Sequence, residues 1–125
     1  MDKDQMKKRC PRAESMIIHQ LEGYQFIINT RGVATIIPNK NSFVQGVLWS
    51  LSNECENSLD RYEGVSSGLY RKEYIPLSNG LFALVYIASD DLSGRPRDKY
   101  LEKIIKTSNS YTFSCSYITY LKSLL

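Results

Sequence analysis

Glu63, followed at once by Gly64, is the residue best placed to do chemistry in this sequence. It lies within LDRYEGVSSGLY, Leu59–Tyr70, where a helix-like pattern stops and a strand-like pattern starts. A carboxylate at the end of a helix sits near the negative pole of the helix dipole, which disfavours its ionisation. Tyr62, Val65 and a neighbouring sheet would withdraw it from water and act in the same direction. A glutamate tuned upward can accept a proton from an amine and return it to a leaving amine. Gly64 lets the backbone turn without a Cβ, so the carboxylate can face a cavity. The plainer alternative is a glutamate that only decorates a helix end.

Other chemistries find little support. No GxSxG elbow occurs, and Gly32, Gly64 and Gly68 match neither a P-loop nor a dinucleotide fingerprint. The single histidine, His19, falls in an apolar strand-like run and is expected to be a satisfied structural residue. Cys10, Cys55 and Cys115 are odd in number, widely spaced and form no CxxC, so with one histidine a zinc site lacks ligands. Reduced, mostly buried thiols are expected, with no metal and no cofactor. The net charge of +3 is too small to argue for nucleic acid. Lys7–Lys8–Arg9 with Arg12 reads as a solvated helix face. The nine tyrosines fall mostly in apolar stripes, which favours packing over base stacking. No segment approaches the roughly 18 apolar residues of a membrane span, and the first residues do not form a signal peptide. A cytoplasmic protein is expected.

The elements that would position Glu63 can be read from pattern. The 125 residues, 42% hydrophobic and 23% charged, fit one globular domain. Asp2–Arg9 is helix-permissive, and Pro11 ends it. Met16–His19, Tyr24–Ile28 and Val33–Ile37 are strand candidates, and Pro38–Asn41 is turn chemistry. Val44–Leu51 is apolar at most positions and reads as a central strand buried on both faces, with Gly46 marking a bulge or close approach. Asn53 resembles a helix N-cap with Glu56 closing a capping box, and Cys55, Leu59 and Tyr62 share one helix face. Gly64 suits the residue after that helix. Leu69–Leu77 and Leu81–Ser89 flank Asn79–Gly80, a strong hairpin signal. Pro96 suits a helix start, with Leu101, Ile104 and Ile105 as its stripe. Phe113, Tyr117, Tyr120, Leu121 and Leu124 repeat at helical spacing. The expected class is α+β, a meandering sheet with helices inserted and appended.

Several stretches, in order, carry a resemblance. RCPRA at Arg9–Ala13, GY at Gly23–Tyr24, RGVATIIP at Arg31–Pro38 and GVLWSL at Gly46–Leu51 are four of them. LDRYEGVSSGLYRKE at Leu59–Glu73, YIAS at Tyr86–Ser89 and KYLEKI at Lys99–Ile104 complete the set. Together they resemble the γ-glutamylcyclotransferase family, including its AIG2-like members. The resemblance implies a small mixed β-barrel or curled sheet with peripheral helices. It also implies cyclisation of γ-glutamyl amino acids or amines to 5-oxoproline, without metal or cofactor. The family's catalytic glutamate falls on Glu63. Gly64, Tyr70, Tyr86 and Tyr100 fall on positions expected to border the substrate.

One departure matters. The family's first strand ends in a YGSN-like loop that supplies oxyanion donors, and no YGSN occurs in this sequence. The 125 residues are therefore expected to form a single domain that begins one strand late and turns over γ-glutamyl substrates poorly or not at all. Either the native chain is longer, or this is a non-catalytic member that binds a ligand or a protein. An uncovered sheet edge would invite a homodimer or strand exchange.

Overall fold

The computed structural model describes residues 6, 8, 9, 14–50, 53–77 and 80–125. Met6, Lys8 and Arg9 are helical, within the expected first helix; its expected stop at Pro11 lies outside the described residues. Strand β1 (Glu14–Ile28) and strand β2 (Ala34–Ser50) form one long antiparallel hairpin. The turn chemistry at Pro38–Asn41 does not end a strand. Tyr24 pairs with Pro38 and Glu22 with Phe43, so Gly23 alone faces residues 39–42, which bulge outward. Gly23 meets this with φ +82, a conformation that favours glycine. Asn39 still makes its local turn, its Oδ1 accepting the Asn41 N–H at 3.0 Å, but within the strand. Gly46 marks neither bulge nor close contact: it pairs with His19, and a Cβ there would meet nothing within 4 Å.

Strand β3 (Tyr70–Pro76) and strand β4 (Phe82–Ala88) form a second antiparallel hairpin. Gly80 turns it with φ +84, and the Leu77 N–H donates to Leu81 O at 2.7 Å; Asn79 lies outside the described residues. Among the described residues no ladder joins the two sheets. They meet where the Ala88 N–H donates to the hydroxyl of buried Thr35 at 2.9 Å. Elsewhere β2 and β4 border a cavity of about 270 Å³, lined by Val44, Gly46 and Leu48 on one side and Ala83, Leu84 and Tyr86 on the other. This explains why Val44–Trp49 is only half-buried, where the sequence suggested a strand enclosed on both faces. His19 borders the same cavity, and among the described residues its buried Nε2 has no hydrogen-bond partner, so it is not the satisfied residue expected.

Three further helices among the described residues follow the sheets' needs. Helix α1 (Asn53–Tyr62) buries Cys55 and Leu59 but leaves Tyr62 exposed, because the chain turns away at Gly64, whose φ is +64. The capping box expected of Asn53 and Glu56 rests on the Asn53 side chain, which lies outside the described residues; the Glu56 carboxylate accepts from Lys72 Nζ at 2.7 Å. Helix α2 (Tyr100–Ser110) starts four residues after Pro96, since the segment before it is docked against the β1–β2 turn by the Arg97 N–H to Gly32 O bond of 3.1 Å. Helix α3 (Cys115–Ser123) starts after Ser114, whose hydroxyl accepts the Tyr117 N–H. Phe113 precedes that helix yet joins the core with Ile28, Leu101, Ile105, Tyr117, Ile118 and Leu121. Helices α2 and α3 thus cover the β1–β2 hairpin, and the molecule is α+β with curled sheets and peripheral helices.

The cysteines depart from expectation. Cys55 is disulfide-bonded, with its partner outside the described residues, and Cys115 is free and exposed rather than buried. No helix among the described residues is long and apolar enough to cross a membrane.

Candidate active site

Glu63 sits one residue past α1, its N–H still donating to Leu59 O at 2.9 Å. Gly64 and Gly68, both left-handed, bracket a single 3-10 turn, Val65–Ser67. A Cβ on Gly64 would lie 3.0 Å from Leu69 Cδ1, so glycine serves both the turn and the close packing. This turn carries the chain from α1 into β3 and leaves the Glu63 side chain 25% exposed, not splayed into bulk solvent. Burial raises the Glu63 pKa above the usual glutamate value, while the nearby Arg9 guanidinium pulls it down. Arg9 Nη1 lies 3.5 Å from Glu63 Oε1. The same guanidinium covers the Tyr62 ring at 4.9 Å, so Arg9 is not the solvated cation that its basic run suggested.

Tyr70 and Tyr100 meet on one backbone unit. The Tyr70 hydroxyl donates to Ala34 O at 3.1 Å, and the Tyr100 hydroxyl accepts the Ala34 N–H at 3.1 Å. Both tyrosines are half-buried. Burial first, then the charges of Tyr100 and Glu63, push the Tyr70 pKa up to about 12. Burial chiefly raises that of Tyr100, with Glu63 adding to it against the Ala34 hydrogen bond. Glu63, Tyr70 and Tyr100 therefore share one electrostatic neighbourhood, although they come from the end of α1, the start of β3 and the start of α2.

Tyr86 is held differently. Its hydroxyl donates to Asp60 Oδ1 at 2.6 Å, and it also reaches Glu56 O at 3.4 Å. Burial and that Asp60 bond raise its pKa, with a smaller contribution from Glu63. Lys72 Nζ completes the group, 2.7 Å from Glu56 and 2.9 Å from Asp60. This network fastens α1 to the second hairpin, one turn from Glu63. Asp60 titrates below its usual range, mainly because Tyr86 donates to it.

Sequence reasoning missed four contributors. Arg9 was legible only as part of a basic run. Asn29, fully buried, shapes the β1–β2 turn: its Oδ1 accepts the N–H groups of Arg31 at 3.1 Å and Val33 at 3.2 Å. Arg31 and Arg97 are drawn toward Tyr70 by that turn, and RGVATIIP had shown Arg31 without a role for it. Among the described residues no group of three or more His, Cys, Asp or Glu side chains is arranged to hold a metal ion.

Comparison with known proteins agrees with this architecture. The model of the AIG2-like family matches residues 43–121, more than half of the chain. A solved γ-glutamyl cyclotransferase superposes with a TM-score of 0.84 at 23% identity, covering 98% of this chain and 80% of that one. An uncharacterized protein from Homo sapiens, loc79017, gives 0.83 at 24% identity with the same coverage. YkqA from Bacillus subtilis gives 0.76 at 19% identity over 88% of this chain and 44% of its own. No curated protein sequence matches the chain.

Proposed function

This chain belongs to the AIG2-like family, and we propose that its Glu63 site closes γ-glutamyl amino acids or amines into 5-oxoproline. The observation that carries this reading is a half-withdrawn carboxyl with a raised pKa, beside two tyrosines anchored on Ala34. In the reaction the substrate's α-amine attacks its own γ-carbonyl, forming a C–N bond in a five-membered ring. Glu63 takes the proton that the α-ammonium must lose. It then gives a proton to the departing nitrogen as the original amide C–N bond breaks. The step is intramolecular, so folding the substrate supplies much of the acceleration. A carboxyl held partly out of water suits both halves of that transfer. Tyr70, Tyr100 and the Gly64 turn would border the substrate. Tyr86, engaged by Asp60, would hold α1 and with it Glu63.

The sequence carries no YGSN segment to aim donors at the oxyanion, so turnover by these 125 residues is expected to be slow. The second reading is a ligand-binding member without turnover. Both are tested by assaying 5-oxoproline release and γ-glutamyl ligand binding, for this chain and for a version preceded by a YGSN-bearing strand. Glu63→Gln should lower turnover of the active form by about 100-fold or more. Unchanged turnover removes Glu63 from the reaction, and binding without turnover in both forms selects the second reading. Failure of both forms to bind overturns the proposal. The cytoplasm remains the proposed compartment for such small γ-glutamyl compounds, and neither nucleic acid nor membrane is a proposed partner. For assembly, we propose a homodimer or strand exchange at an exposed sheet edge, because unpaired strand edges are prone to pairing. Light scattering should then give a dimer at micromolar concentration; a monomer throughout would refute it.

A further inference from the structure

The two hairpins touch at one end and part at the other. At the closed end the Ala88 N–H donates to the Thr35 hydroxyl at 2.9 Å. Beyond it, among the described residues, no ladder joins β2 to β4. Two cavities open along the gap, one of about 270 Å³ and one of about 260 Å³. Val47, Leu48, Leu77, Ala83, Leu84 and Tyr86 border both. Along residues 44–49 of β2 and 82–86 of β4, what distinguishes the cavities is the face of each strand. The first adds Val44 and Gly46, with Leu21 and His19 across the ladder from them, and Val85. The second adds Trp49 and Phe82, with Leu59 of α1. Successive side chains of a strand point to opposite faces. The residues peculiar to the first cavity are even-numbered in β2 and odd-numbered in β4, and those peculiar to the second are the reverse. The gap is therefore a slot between two strand edges, with an apolar chamber on each face.

Each chamber is bordered by a side chain with a buried polar atom that lacks a partner among the described residues. His19, through Nε2, borders the first, and Trp49, through Nε1, borders the second. An indole N–H can only donate, so it calls for an acceptor such as a peptide carbonyl. Phe82 is 68% exposed, apolar surface that an occupant of the slot would cover.

We propose that this slot takes one extended, uncharged, apolar segment of about five residues from a partner protein, which pairs with β2 and β4 at once and joins the two hairpins into one sheet. The backbone of such a segment bonds to both edges while its side chains alternate between the two chambers. Among the described residues that line them there is no Asp, Glu, Lys or Arg, so a charge at any position would go unmatched. The segment is thus a continuous apolar run, as in a strand buried on both faces. A two-stranded hairpin is marginal by itself, so each hairpin gains from a third strand. A second copy in this fold fits poorly. The slot needs a strand free along both edges, and each of β1 to β4 already has a ladder on one. A segment of about five residues also buries far less than the roughly 1,200 Å² of a stable subunit interface.

The probe is an end-blocked peptide, Lys-Val-Ile-Val-Ile-Val-Lys, titrated into the full chain. Trp49 is the single tryptophan, so its emission reports on the slot. Binding should saturate, shift that emission and slow amide exchange about tenfold or more within residues 44–49 and 82–86. N-methylation of every second peptide amide blocks pairing along one edge. Either alternate set should weaken binding about tenfold or more. Gly46→Leu should do the same with Tm maintained, because a Cβ there meets nothing within 4 Å and the longer side chain fills the slot. If that variant misfolds, the methylated peptides on the unaltered chain still decide. No binding overturns the proposal. So does binding that tolerates one methylated set, which is pairing at a single edge, or both sets, which is an ordinary apolar pocket. A dimer that forms unaided and shuts the probe out puts a second copy in the slot, and overturns it as well.

Discussion

Glu63 holds its proton more tightly than an exposed glutamate because its carboxyl is partly withdrawn from water, and Arg9 moderates the effect. As the proposed base it would work in its ionised form, so kcat/KM should rise with pH through its pKa. Arg9 favours that ionised form, so Arg9→Ala should move the acid limb of the pH–rate profile to higher pH; a limb that stays or falls would exclude Arg9 from the tuning. The same raised pKa has a stability consequence of definite sign. The folded chain favours protonated Glu63, so the linked stability is full below the unfolded value of about 4.3 and is lost as pH rises through the folded value. Glu63→Gln should therefore raise Tm near about pH 7 and leave it unchanged near about pH 3. A variant that loses turnover while gaining stability cannot be dismissed as misfolded.

At the scale of elements, α1 is what aims Glu63, and α1 is held by polar and covalent ties as much as by its two buried side chains. Glu56 and Asp60, one turn apart, share Lys72, and Asp60 takes the Tyr86 hydroxyl. Cys55, 5% exposed, is disulfide-bonded on the helix's inner face. Among the described residues Cys115 is the free cysteine. Native chain kept from reductant should thus show one thiol to a thiol-reactive dye, and three after unfolding in reductant. Reduction should lower stability by about 2–4 kcal/mol in urea titrations. Three thiols in chain never exposed to reductant would contradict this account of how α1 is fixed.

Over the whole molecule, the parts are held together unevenly. The β1–β2 hairpin, α2 and α3 share the core around Leu101 and Leu121, whereas the two sheets meet chiefly at Thr35 and Ala88 and border a cavity elsewhere. Leu101 is fully buried and adjoins Tyr100. Leu101→Ala should cost about 2–5 kcal/mol in chemical denaturation and weaken ligand binding through Tyr100. A cost under about 1 kcal/mol would show that the core collapses around the gap.

The sequence by itself determined the α+β class, the paired runs around Gly80, α1 and the stripe of α2, because these depend on periodicity and turn chemistry. It misplaced what depends on pairing between distant segments. Pro38–Asn41 is a local turn in any context, and only Gly23 across the ladder decides that it becomes a bulge inside β2. Pro96 suits a helix start, and only docking of Arg97 on Gly32 delays α2 to Tyr100. No periodicity reveals that Arg9 reaches Glu63, or that the charges of Arg31 and Arg97 both act on Tyr70, since such meetings are made by packing between elements rather than by neighbours along the chain.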